Sequence, residues 1–224
     1  PPGTCVAIYT GAEVPADCDA VVMVERTRPD PEAGASRVVI ADRPGHLQNI
    51  CKRGQDVAAG QTVLPAGHRV RASDLAALAS VGCDPVRVRR RPRVVVLTSG
   101  DELVPPSARP GPGQIRESHT VLLAAMSRAA GAEVDDRGVV RDDPALLEAA
   151  FRDALGACDL LITTGGVSMG RYDLVGEALA AVGVEPVFHK VAIKPGKPLW
   201  FGAYGDVPVL ALPGNPVSCR VNPA

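Results

Sequence analysis

Apolar residues recur along the chain in two rhythms, and the change between them falls at Val94. Before it, short Val- and Ile-rich runs, CVAIYTG (5–11), DAVVMVE (19–25) and SRVVIA (36–41), are separated by turn formers such as Gly11, Pro15, Pro29 and Gly34, which predicts a small sheet. The run ASDLAALASVG (72–82) then predicts a helix, with Ser73 as N-cap, Leu75, Leu78 and Ala79 on one face and Gly82 as the stop. From Val94 onward strand-like and helix-like runs alternate: VVVLTSGDEL, TVLLAAMSRAAG, AEVDDRGVV, DPALLEAAFRDALGAC, DLLITTGG and the apolar positions from Leu174 to Val182. VFHKVAIKPGKPLWFG and VPVLALPGNPVSC read as strands again, the second ending in a Gly-Asn-Pro turn. Such alternation implies a mostly parallel sheet covered on both faces, an α/β fold of three layers. The expected division is a β domain over 1–51, a helical segment over 52–91 and an αβα domain over 92–224.

The polar turns of this pattern fall where strands end, and ligands of open α/β sheets bind at the carboxyl ends of their strands. Asp159 to Ile162 is a short buried-strand run. It breaks into Thr163, Thr164, Gly165, Gly166, Val167, Ser168, Met169 and Gly170, where glycines let the backbone bend and expose N–H groups to an oxyanion. Thr98-Ser99-Gly100-Asp101-Glu102, Lys194-Pro195-Gly196-Lys197-Pro198 and Pro213-Gly214-Asn215-Pro216-Val217-Ser218 repeat the combination. Each turn alone is explained by a need for positive φ; four at successive strand ends point to a shared site. Lys190, Lys194 and Lys197 offer point charges for a phosphate or oxyanion, or else guard a strand edge. Asp101, Glu102, Asp142, Asp143 and Asp173 offer Mg²⁺ ligands beside a polyphosphate, although Asp143-Pro144 is equally a helix start.

Composition narrows the partners. At 224 residues, 46% hydrophobic and net charge -1, the chain has no basic excess for nucleic acid, and 3% aromatics leaves little base-stacking surface. Arg87 to Arg93 reads as a solvated boundary between domains. No apolar run nears the roughly 20 residues of a membrane span. Six scattered cysteines without a CxxC spacing suit a reducing, cytoplasmic setting. The four histidines show no zinc spacing, Ser168 lacks a nucleophile-elbow context, and Gly196-Lys197-Pro198 is not a P-loop. The opening Pro1-Pro2 and the end at Ala224 read as cut points in a longer protein.

These motifs resemble the molybdopterin molybdenumtransferases of the MoeA type, a family that includes the gephyrin E domain. The resemblance rests on Thr10-Gly11-Ala12, Asp19 to Val22, Asn49-Ile50, Arg53 to Asp56, Ser99 to Leu103, Arg141-Asp142-Asp143, Gly165 to Ser168, Lys190 to Pro198 and Leu212 to Ser218, in the family order. It implies insertion of molybdate into adenylylated molybdopterin with Mg²⁺ and release of AMP, in a homodimer whose cleft is shared between subunits. It further implies that 52–91 is part of a helical dimerisation domain and 92–224 the molybdopterin-binding domain, and that the adenylyltransferase of the pathway is a partner. By the same carry-over Asp56, Glu102, Asp142, Asp173, Lys190 and Lys194 are catalytic, with Asp142 and Asp173 toward Mg²⁺. Thr10, Thr98, Ser99, Gly100, Ser118, Thr164, Gly165, Gly166, Val167, Ser168, Lys197, Pro213, Gly214, Asn215 and Ser218 bind substrate. The chain departs from the family pattern at Cys51, Gln55, Arg171 and Glu117-Ser118-His119, where Asp-Ser-Asn or Asp-Thr-Asn is usual. Two other readings stand beside this one. A molybdopterin adenylyltransferase would lack the first ninety residues, and a gephyrin-like scaffold would keep the cleft for partner binding.

Overall fold

The computed structural model describes residues 3–32, 34–166 and 174–222. The chain forms two compact units, Pro1–Arg87 and Val88–Ala224.

In the first unit β1 (Thr27–Asp30) pairs antiparallel with β2 (Gly34–Ile40), with a register shift between Pro29 and Asp30. The runs at 5–11 and 19–25, expected to be strands, join no ladder among the described residues. A strand needs a partner edge, and here the second run meets a loop instead. Val21 N–H donates to the Gln48 carbonyl at 2.9 Å, Asn49 Nδ2 to the Val21 carbonyl at 2.8 Å and Leu47 N–H to the Asp19 carbonyl at 2.6 Å. Leu47 and Asn49 hold φ of 57° and 58°, a turn geometry that presents single bonds rather than a ladder.

Helix α1 (Ala72–Ser80) starts one residue before the expected cap. Arg71, not Ser73, is the N-cap residue, and the Asp74 carboxylate takes its N–H at 2.8 Å. The same carboxylate meets His68 Nε2 at 2.8 Å, and these two bonds hold its pKa below the usual range. Gly82 ends the helix as expected, at φ +74°: its N–H donates to the Ala79 carbonyl at 3.0 Å and that of Cys83 to Leu78 at 2.9 Å, a Schellman closure.

The second unit carries β3 (Arg93–Ser99), β4 (Leu103–Val104), β5 (Ile115–Arg116), α2 (His119–Ala129), β6 (Glu133–Val140), α3 (Pro144–Leu155), β7 (Leu160–Thr164), α4 (Leu174–Ala181), β8 (Glu185–His189), β9 (Trp200–Tyr204), β10 (Val207–Leu212) and α5 (Pro216–Val221). Six strands form one sheet in the order β6-β3-β7-β10-β9-β8; the first four are parallel, and β9 runs against both its neighbours. Central strand β3 is buried from Val94 to Ser99, which is why its sequence is a continuous rather than alternating apolar run. Alternate residues still face opposite layers. Val95 and Leu97 join Leu147 and Phe151 of α3 and Leu179 of α4, while Val94 and Val96 join Leu123 of α2 and Cys219 of α5. The fold is therefore a mixed α/β sandwich around a mostly parallel sheet. No helix among the described residues is long and apolar enough to cross a membrane.

Helix α3 begins as its sequence suggests. The Asp143 carboxylate accepts from Leu146 N–H at 3.0 Å and Pro144 occupies the first turn. The strand expected to run to Cys219 ends sooner: Asn215 caps a helix opened by Pro216, and residues 216–221 form α5. The arginine-rich segment is also more than a solvated boundary, since Arg90 grips Asp159 at the entry to β7.

Candidate functional site

The chain leaves β3 toward β6 on one side and leaves β7 toward β8 on the other, so the crevice between their carboxyl ends is a topological switch point. Two threonines close the bottom of it. Thr98 Oγ1 and Thr164 Oγ1 are 2.6 Å apart, both buried. Above them Gly165, at φ +94°, lies so near β3 that a Cβ would collide with the Ser99 carbonyl oxygen, and its N–H donates to the Leu212 carbonyl at 3.3 Å. Gly166, at φ +59°, would place a Cβ 2.7 Å from Val175 Cγ2. These two glycines are required by close approach, and they tie the β7 loop to both β3 and β10.

The β3 loop reaches the other way. Gly100 N–H donates to the Val140 carbonyl at 3.4 Å, and Arg141 Nε donates to Asp101 at 3.2 Å. Asp101 and Arg141 form a wall shared by two openings. One is a cleft of about 840 Å³ reaching to Glu117, Thr120 and Arg137; the other, of about 210 Å³, is bordered by Asp142, Asp143 and Leu146. Glu102 is exposed and does not line either opening, but its Oε2 lies 2.8 Å from where a Cβ on Gly100 would stand.

Buried polar groups gather at the same end of the sheet. Ser99 Oγ, Thr163 Oγ1 and both His119 ring nitrogens have no hydrogen-bond partner among the described residues. Interior polar atoms left unpaired are costly, and native structures carry few of them. Glu117 is 4% exposed, and its carboxylate accepts from Thr120 N–H at 2.7 Å and Thr120 Oγ1 at 2.9 Å. Cys219 behind it donates its thiol to the Pro213 carbonyl at 3.0 Å; burial, with the Glu117 charge adding to it, pushes this thiol up to about 12. It is an inert packing group.

Of the residues picked out in the sequence, Thr98, Ser99, Gly100, Thr164, Gly165 and Gly166 come together at the switch point, and Asp142 borders the smaller opening. Pro213, Gly214, Asn215 and Ser218 follow β10 at the same sheet end, with Asn215 Oδ1 engaged by Val217 and Ser218 N–H. Ser118 is exposed at the start of α2. Lys190, Lys194 and Lys197 lie past β8, at the same end because β8 runs parallel to β10, but four strands from β3. That places them roughly 19 Å away at the usual interstrand spacing. Lys194 and Lys197 are exposed, in a loop pinned by Lys190 N–H to the Leu199 carbonyl at 2.7 Å. Thr10 and Asp56 are exposed residues of the first unit. Val167, Ser168, Arg171 and Asp173 lie outside the described residues. Sequence reasoning did not single out Glu117 and His119, both buried at this sheet end; the available signal was a Glu-Ser-His departure directly before an apolar helix.

No group of three His, Cys, Asp or Glu side chains among the described residues is arranged to hold a metal. A Mg²⁺ bound with a phosphate substrate needs only one or two carboxylates, and keeps its waters. The smaller opening suits that case: Asp101 is drawn to Arg141 and Asp143 caps α3, which leaves Asp142 for a cation.

Residues 95–222 match the family described as a probable molybdopterin binding domain, and residues 1–82 match the MoeA N-terminal region, domains I and II. The chain belongs to the MoeA family. Among relatives, it is 38% identical to the molybdopterin molybdenumtransferase of Nostoc sp. over 223 residues, covering 98% of this chain and 50% of that protein. It is 40% identical to molybdopterin molybdenumtransferase 2 of Mycobacterium tuberculosis over 228 residues, covering 99% and 55%. The structure of the molybdopterin biosynthesis MoeA protein from Pyrococcus horikoshii OT3 superposes with a TM-score of 0.75 at 27% identity, covering 96% of this chain and 51% of that one. A second structure of MoeA from the same source gives 0.72 at 31%, covering 91% and 50%. The chain thus spans about half the length of the MoeA relatives it matches.

Proposed function

We propose that this MoeA-family chain takes part in molybdenum cofactor biosynthesis as a molybdopterin molybdenumtransferase, inserting molybdate into adenylylated molybdopterin with release of AMP. The observation that carries the reading is the gathering of polar loops at one sheet end, in a chain that aligns with the transferase relatives over 98–99% of its own length. The loops that begin at Gly100 and Gly165, whose tight turns require glycine, receive the phosphate. Lys190, Lys194 and Lys197 act as point charges toward phosphate and molybdate oxygens, held on a loop fixed by prolines. Thr98, Ser99 and Thr164 line the floor, with Pro213 to Ser218 beside it. Asp142, Asp173 and Glu102 would serve as the carboxylates for Mg²⁺, which when bound neutralises pyrophosphate charge.

In this reading 1–51 is a β domain, 52–91 part of a helical dimerisation domain and 92–224 the molybdopterin-binding domain. Two copies share each cleft, Thr10 and Asp56 of one copy facing the loops of the other. The adenylyltransferase of the same pathway hands over the substrate, in the cytoplasm.

The test is calorimetric titration with adenylylated molybdopterin, followed by mass spectrometry of the retained small molecule after addition of molybdate. Lys194→Ala is expected to weaken substrate binding by about tenfold, the loss of roughly one charge-assisted contact, with little change in melting temperature. Equal affinity would remove Lys194 from the site, and absence of any molybdenum-bearing product in the parent would overturn the transferase reading.

A further inference from the structure

Glu117 stands out among the groups that line the larger cleft. It is a carboxylate 4% exposed, and no cation pairs with it among the described residues. The two guanidiniums lining the same cleft are engaged elsewhere, Arg137 with Asp135 and Asp153, and Arg141 with Asp101. Each Glu117 oxygen accepts one bond from Thr120, through N–H and Oγ1. A carboxylate has about four acceptor sites, so one on each oxygen is left. A buried carboxylate with half its acceptors open is costly unless donors arrive to fill them. The cleft lining combines polar Gln114, Thr120 and Asp136 with the apolar Leu103, Pro105, Pro106, Val121 and Val139, whose flat or aliphatic faces suit a planar ring.

We propose that Glu117 is the specificity-determining residue for the pterin ring, its carboxylate fork receiving the N3–H and 2-amino N–H of the 2-amino-4-oxo edge. Those two donors lie side by side on a pterin and match the two open acceptors. Adenine presents a donor beside an acceptor, so the fork also distinguishes the two ends of an adenylylated pterin and directs the pterin end into the cleft lined by Glu117. The inference rests on the molybdopterin reading above and adds to it the residue and the ring edge that are read.

The probes are pterin and lumazine, which differ in that lumazine carries a carbonyl in place of the 2-amino group and so turns an acceptor toward the carboxylate. Binding to the full chain is measured by fluorescence. The parent is expected to prefer pterin at least about tenfold, since a site built to accept a donor rejects the analogue lacking it. Glu117→Gln is expected to bring the two within about threefold, while Glu117→Asp, which keeps the fork, retains the preference for pterin. Inorganic phosphate binding should be the same in parent and variants, a result that separates loss of recognition from loss of structure. Equal binding of pterin and lumazine by the parent, or an undiminished preference in Glu117→Gln, overturns the inference alone; binding of neither overturns it together with the molybdopterin reading. Should the Gln variant not fold, the parent saturated with pterin decides: a nuclear Overhauser contact between the pterin N3–H and the Glu117 side chain is expected, and its absence overturns the proposal.

Discussion

Asp159 precedes β7 and accepts from both terminal nitrogens of Arg90 at 2.5 Å and from Arg93 N–H at 2.7 Å. The Arg90 guanidinium first, and the Arg93 amide second, hold this carboxyl well below the usual carboxylate range. A folded-state pKa below the unfolded one means that the stabilisation is fully present above about pH 4 and is lost as pH falls toward the folded value. Asp159→Asn should therefore melt at a lower temperature than the parent at pH 7, and the gap should narrow progressively below about pH 4. Thermal melts across pH 7 to pH 2 check this; a gap that stayed constant would detach the effect from ionisation. Both side chains are partly exposed, so added salt should shrink the pH 7 gap as well. The partnership joins residues 69 apart, and nothing local in Arg87 to Arg93 or in Asp159 announced it. Glu117 is a similar case, because its burial comes from packing around α2.

At the scale of elements, period and punctuation made most of the second unit legible. Helices α2 and α3 and the strands before them follow directly from the alternation of apolar runs, and Gly131 closes α2 at φ +97° as its position suggested. The error at α5 came from reading Asn215-Pro216 as a turn, when the same pair is a helix start with a cap and a first-turn proline. Asn215 Oδ1 accepts from Val217 and Ser218 N–H at 2.9 and 3.4 Å. Asn215→Ala should cost about 1 kcal/mol of stability, and Asn215→Asp much less. Denaturant titration of the three proteins reads this directly, and an unchanged midpoint in the alanine variant would show that the cap carries no weight. The runs at 5–11 and 19–25 failed for a different reason: β propensity describes a residue's fit to a pleated surface, and among the described residues no strand edge pairs with them to supply one.

For the whole molecule the first unit poses the main question. Tyr9 is 90% exposed and Val24 76%, with Val6, Met23 and Val38 about half exposed. Apolar side chains exposed in such number on one small unit suit association. Light scattering at micromolar concentration should return twice the chain mass. A monomer that still turned over substrate would remove the shared cleft from the proposal and leave the second unit as the complete site.

By itself the sequence determined the class of the fold, the alternation of strand and helix after Val94, and the polar turns at the strand ends, because period, buried-run length and turn residues act locally. The tertiary structure decided which of those loops meet. It joined Gly165 to Ser99 and Leu212, set Asp101 against Arg141, and left the lysine loop four strands from β3. Strand order is the physical reason. The sequence shows that strands end in polar turns, but their distances depend on the order β6-β3-β7-β10-β9-β8, which arises from packing two layers of helices on one sheet.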